Sequence, residues 1–142
     1  MLRILIAEDS EFQRLHLAKI LSDYGTCDQA ENGDQAIELA RQALAAGNFY
    51  DLIVMDILMP GTNGHAALKH IVEMQLASGI DQDKIAKVIM LSSLSDPENI
   101  LTAQFDEGAD IYITKPYEPE IVVESLANLN LIDIPAGYPD ME

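Results

Sequence analysis

The chain has 142 residues, 49% hydrophobic and 23% charged, with a formal net charge of −16 and a pI near 4.2. That length suits one domain with a full core, and so acidic a surface repels phosphate backbones and anionic lipid, which argues against direct DNA binding and membrane attachment. No apolar run approaches the ~18 residues of a membrane span, no signal peptide precedes the first strand-like segment, and the single Cys27 rules out an internal disulfide and fits the cytoplasm.

Arg3 to Ala7 is rich in Ile and Leu and reads as a first buried strand, ending in Glu8-Asp9-Ser10. Ser10 to Tyr24 is predicted helical, with Leu17, Ile20, Leu21 and Tyr24 on one stripe and Gly25 stopping it. Thr26 to Ala30 is a short second strand. Asn32-Gly33 turns into a second helix over Asp34 to Ala46, closed by Gly47-Asn48. Leu52-Ile53-Val54-Met55-Asp56 is a third strand, buried on both faces, and Met59-Pro60-Gly61 must leave it because proline cannot donate to a ladder. A third helix runs from Thr62-Asn63-Gly64 to about Ser78, followed by a polar connection from Gly79 to Lys87. Val88 to Leu91 is a fourth strand, closing on Ser92-Ser93. Ser95-Asp96-Pro97-Glu98 starts a fourth helix that ends at Gly108. Asp110 to Thr114 is a fifth strand, followed by Lys115-Pro116, and Pro119 to about Leu129 is a last helix. Five strand–helix units predict a parallel sheet with helices on both faces. Residues 1–130 form one domain; 131–142, with Pro135, Gly137 and Pro139, read as a tail or the start of a linker.

In a parallel sheet the carboxyl ends of the strands share one rim, where ligands collect. The first strand delivers Glu8 and Asp9 there, the third Asp56, the fourth Ser92 and the fifth Lys115. Clustered carboxylates repel and raise at least one pKa. A hard divalent cation, Mg²⁺ or Mn²⁺, relieves that and shares its shell with a phosphate. Residues 88–142 hold eleven acidic residues and one basic one, Lys115, a point charge for the same anion. The set supports phosphoryl transfer onto Asp56: a carboxylate already ionised at pH 7 attacks without a general base, and cation and ammonium stabilise charge on the phosphoryl oxygens.

An acid pair after the first strand, then Asp-x-x-Met-Pro-x-x-x-Gly (Asp56, Met59, Pro60, Gly64), then Ser92, then Lys115-Pro116, resembles the receiver domain of two-component response regulators over roughly residues 2–129. The resemblance implies a flavodoxin-like α/β fold, (βα)5 with strand order 2-1-3-4-5. It implies that Asp56 accepts a phosphoryl group from a histidine kinase or histidine phosphotransfer protein. Asp9, Asp56 and the Leu58 backbone carbonyl would hold Mg²⁺, with Glu8 acting through water. Ser92 and Tyr112 would be a switch pair, Lys115–Pro116 a cis peptide, and Phe12, on the first helix, a partner contact.

Leu58 and Leu94 are apolar where the family often carries polar side chains flanking the site, which implies slow self-dephosphorylation. The last helix lacks Lys and Arg, which disfavours dimers built on basic residues there. His16, His65, His70 and Cys27 show no ligand spacing, and Met55, Met59 and Met90 read as core. Three other readings compete: a receiver within a larger hybrid kinase or regulator, an aspartyl-nucleophile phosphatase, and a flavin or nucleotide carrier. A dehalogenase-type phosphatase would carry a second Asp where Leu58 stands. A flavin carrier would need a phosphate loop where Glu8-Asp9-Ser10-Glu11 stands.

Overall fold

The computed structural model of the protein describes residues 1–93 and 108–133. Its elements are β1 (Leu2–Ala7), α1 (Glu11–Leu21), β2 (Gly25–Ala30), α2 (Gly33–Ala46), β3 (Leu52–Asp56), α3 (Gly64–Ala77), β4 (Lys87–Ser92), β5 (Ile111–Thr114) and α4 (Pro119–Asn128). The five strands pair in parallel in the order β2-β1-β3-β4-β5, the order expected of the flavodoxin-like class. The helix expected from Ser95, together with Leu94 and the Pro-containing tail from residue 134 on, lies outside the described residues.

Every residue of β3 is buried, as its unbroken apolar run requires, and alternation sorts the strands onto two cores. Ile53 and Met55 join Leu5, Val88 and Met90 against Ala36, Ala40, Ala67, Leu68 and Ile71 of α2 and α3. Leu52 and Val54 join Ile4, Ile6, Ile89 and Ile113 against Leu17, Leu21, Val122 and Leu126 of α1 and α4. Met55, Met59 and Met90 are buried core residues. Among the described residues no helix is long and apolar enough to cross a membrane.

Two boundaries differ from expectation for physical reasons. Helix α1 ends at Leu21 rather than Tyr24: the Ser22 N–H bonds the Ala18 carbonyl and its hydroxyl the Lys19 carbonyl. The Tyr24 carbonyl then accepts from the Leu2 N–H at 3.2 Å, which draws the chain into the sheet. Gly25, read as a helix stop, is instead the first residue of β2. A Cβ there would lie 2.3 Å from the Leu2 carbonyl oxygen, so only glycine lets β2 approach β1 so closely. At the other end Leu131 and Ile132 pack against the α1–α4 core, so packing continues past residue 130. The polar connection before β4 contains a short 3-10 turn, Gln82–Lys84.

Strand order reverses between β1 and β3, which lie side by side at the centre of the sheet. A crevice opens where one connection leaves toward β2 and the other toward β4. The carboxyl ends of β1 and β3 flank that crevice.

Candidate functional site

Glu8 and Asp9 follow β1 directly, and Asp56 is the last residue of β3. Carboxylate oxygens of these three lie within 4.8 Å of one another. Glu8 is 1% and Asp56 5% exposed, whereas Asp9 stands at the open rim. Lys115, just past β5, reaches back across the sheet end. Its Nζ donates to Glu8 Oε2 at 2.9 Å, Asp56 Oδ2 at 3.0 Å and Gln13 Oε1 at 2.5 Å.

The electrostatics follow from this crowding. Burial pushes the Glu8 carboxyl up to about 7, the neighbouring Asp56 adds to the rise, and Lys115 opposes it. Burial also works against the Lys115 ammonium, but its bonds to Glu8 and Asp56 outweigh that and hold its pKa above the usual lysine value. An all-oxygen set of this span suits a hard divalent cation, whose ligands sit roughly 2 Å from the ion.

Local structure fixes each group. Ser10 caps α1 by accepting from the Gln13 N–H, and the Ser10 N–H in turn bonds Glu8 Oε1 at 3.2 Å. After β3 the Leu58 N–H donates to Asp56 Oδ1 at 3.3 Å, turning the chain around the carboxylate. The Leu58 side chain is 54% exposed beside it. Gly64 opens α3 against this turn. Its N–H bonds the Ile57 carbonyl at 2.8 Å, and a Cβ would lie 2.3 Å from the Asp56 carbonyl oxygen. The glycine eight residues after Asp56 thus has a direct steric cause. The Lys115–Pro116 peptide is cis, and the Lys115 N–H bonds the Ser92 carbonyl at 2.7 Å.

Ser92 is fully buried at the end of β4, paired with Thr114. Tyr112 lies two residues before Thr114 on β5 and packs against the α2–α3 core. Alternation therefore puts Ser92 and Tyr112 on one face of the sheet, diagonal to each other. Phe12 stands apart from the carboxylates: it is 81% exposed and stacks on His16 with ring centroids 6.5 Å apart. Burial raises the half-buried Cys27 thiol, which leaves it a weak nucleophile.

Two residues of the site were missed at the sequence level. Gln13 is the third acceptor of the Lys115 ammonium. Arg14 is only 7% exposed; its Nη1 donates to the Glu8 carbonyl at 2.9 Å and its Nε to Gln29 Oε1 at 3.2 Å. The signal for Arg14 was available: it shares the buried stripe of α1 with Leu17 and Leu21, and a charge on such a stripe needs a polar partner.

Comparison with known proteins agrees with this geometry. The family model described as response regulator receiver domain matches residues 4–127. The chemotaxis protein CheY of Halobacterium salinarum is 34% identical over 128 residues, which cover 89% of this chain and 95% of that protein. CheY of Thermotoga maritima is 32% identical over 126 residues, 87% of this chain and 93% of that one. A structure of a CheX–CheY–BeF3–Mg complex from Borrelia burgdorferi superposes with a TM-score of 0.76 at 27% identity, covering 91% of this chain and 89% of that chain. Vibrio cholerae CheY4 gives 0.75 at 27%, covering 90% and 98%. The chain belongs to the response regulator receiver domain family, whose members are phosphoacceptor switches that bind Mg²⁺ at an acidic pocket.

Proposed function

We propose that Asp56 is the phosphoacceptor and that this chain passes a signal by switching protein contacts when Asp56 carries a phosphoryl group. The observation that carries the reading is the junction of a buried Asp56, two further carboxylates within 4.8 Å and the Lys115 ammonium at 3.0 Å, at the topological switch point. The donor is a phosphohistidine of a sensor kinase or phosphotransfer protein. Its P–N bond breaks as a P–O bond to Asp56 forms, and the departing imidazole keeps the electron pair and takes up a proton. Asp9, Asp56 and the Leu58 carbonyl, with Glu8 through water, would hold Mg²⁺ or Mn²⁺; such a cation neutralises charge on the transferring phosphoryl oxygens.

The chain's own residues do the rest. Lys115 offers its ammonium to a phosphoryl oxygen, and the buried strand behind Asp56 fixes the carboxylate for in-line attack. Ser92 donates its hydroxyl to the product acyl phosphate, and Tyr112, on the same face, turns with it; the two states differ by contacts only the phosphorylated form satisfies. The exposed Phe12–His16 pair on α1 is a docking contact for the donor protein. The exposed apolar Leu58 does not position an attacking water, so self-dephosphorylation is slow. Residues 1–130, with Leu131 and Ile132 still packed on the α1–α4 core, form the receiver unit, working in the cytoplasm.

The test is phosphoryl transfer from radiolabelled acetyl phosphate with Mg²⁺ present and absent. Wild type takes up label only with the cation, and Asp56→Asn takes up none. Label on the Asn variant would refute the assignment.

A further inference from the structure

The geometry assigns Gln13 as a positioning residue for Lys115, a role that rests on Asp56 being the phosphoacceptor. An ammonium has three N–H donors. All three are used here: by Glu8 at 2.9 Å, Asp56 at 3.0 Å and Gln13 at 2.5 Å. Two of these acceptors are carboxylates of the acidic cluster, and Asp56 changes charge and shape when it is phosphorylated. Gln13 is the one acceptor of the three that is an amide rather than a carboxyl group, and it stands outside the cluster on α1. It keeps its hold on the ammonium while the reacting group changes.

The hold has a physical purpose. A lysine side chain has four rotatable bonds and many rotamers to lose when its ammonium is held in one place. The Lys115 backbone is anchored by its bond to the Ser92 carbonyl. On the open side of the side chain lies a cavity of about 390 Å³ lined by Gln13, His16, Ser93, Pro116, Tyr117 and Lys115 itself. Without an acceptor on that side the ammonium is free to swing into the cavity, away from Asp56. Gln13 sits where it closes that route. Its own backbone is fixed, because its N–H is the one that caps onto Ser10, so the amide oxygen reaches the ammonium from a rigid first turn of helix.

Gln13→Met tests this: it keeps length and helix propensity but loses the acceptor oxygen. Gln13→Glu keeps an acceptor at the same reach. Uptake of label from acetyl phosphate at saturating Mg²⁺ is measured for both, with Asp56→Asn alongside. Mg²⁺ affinity is measured by calorimetry, and the Lys115 side-chain ¹³Cε resonance by NMR. Gln13→Met slows uptake about tenfold, the effect of losing one hydrogen bond to a charged group. It shifts the Lys115 resonance and leaves Mg²⁺ affinity unchanged, and Gln13→Glu recovers most of the lost rate. Three results would each overturn the inference: wild-type uptake by Gln13→Met, equal slowing by both variants, or a loss of Mg²⁺ affinity that matches the loss of rate. Label on Asp56→Asn is a separate outcome that removes the phosphoacceptor reading itself, and this inference with it.

Discussion

Replacing Glu8 with glutamine should make the protein more stable at alkaline pH, by an amount the site geometry sets. Burial holds the Glu8 carboxyl up near 7 against an ordinary value of 4.5. Between those values the folded chain keeps a proton that the unfolded chain has released. The stability from this group is therefore fully present below pH 4.5 and is lost as pH rises through about 7. The gap corresponds to on the order of 3 kcal/mol. The amide of the Glu8→Gln variant would stay neutral throughout, could still accept from Lys115, and could donate to Asp56. Urea denaturation followed by circular dichroism, in chelator, should find the two proteins similar near pH 5. The variant should be ahead by on the order of 3 kcal/mol at about pH 8.5. Other carboxylates titrate in both proteins and cancel in the difference. Saturating Mg²⁺ favours the ionised carboxylate, so it should narrow the gap by stabilising wild type more than the variant. A difference flat with pH, or a wild type ahead on the alkaline side, would show that Glu8 is not held protonated by burial.

Gly64→Ala sets two forces against each other. Helix propensity favours alanine by about 1 kcal/mol, but the added Cβ would meet the Asp56 carbonyl oxygen at 2.3 Å. We expect destabilisation of about 2–4 kcal/mol by denaturant melts, with slower phosphoryl uptake because Asp56 moves; any gain in stability would contradict the packing. Leu58→Asn places a polar group beside Asp56 where an exposed apolar one stands. The phosphorylated variant should lose its label roughly tenfold faster than wild type, measured by chasing labelled protein in excess cold buffer, and an unchanged lifetime would remove Leu58 as its determinant.

Much of the fold is legible in the chain because β1, β3 and β4 announce themselves by buried, β-branched content. Leu52 to Asp56 has no polar residue before its last position, and its shortness, its β-branched Ile53 and Val54 and the nearby proline decide for a buried strand over a buried helix. The rim chemistry is legible for a related reason. A parallel sheet gathers strand ends without any further information, so Glu8, Asp9, Asp56 and Lys115 can be placed together from strand order alone. Boundaries were harder. The end of α1 depends on a bond from the Leu2 N–H to the Tyr24 carbonyl, a contact between segments far enough apart in the chain that local periodicity does not contain it.

What stayed hidden were the long polar side chains, and the reason is reach. A buried apolar residue reports its position through periodicity, but Gln13 and Arg14 act through atoms several bonds from the backbone, on partners set by tertiary packing. Arg14 occupies a place on the buried face of α1 and still satisfies its guanidinium, through the Glu8 carbonyl and the Gln29 side chain. It thereby ties the first helix to both β1 and β2 behind the acidic pair. Gln13, its neighbour, faces the rim and completes the shell of the Lys115 ammonium. Adjacent residues on one helical turn thus support two different parts of the site, one from beneath Glu8 and one from beside Lys115. A displacement of α1 would reach both at once, because one helix carries Gln13, Arg14 and the exposed Phe12–His16 pair.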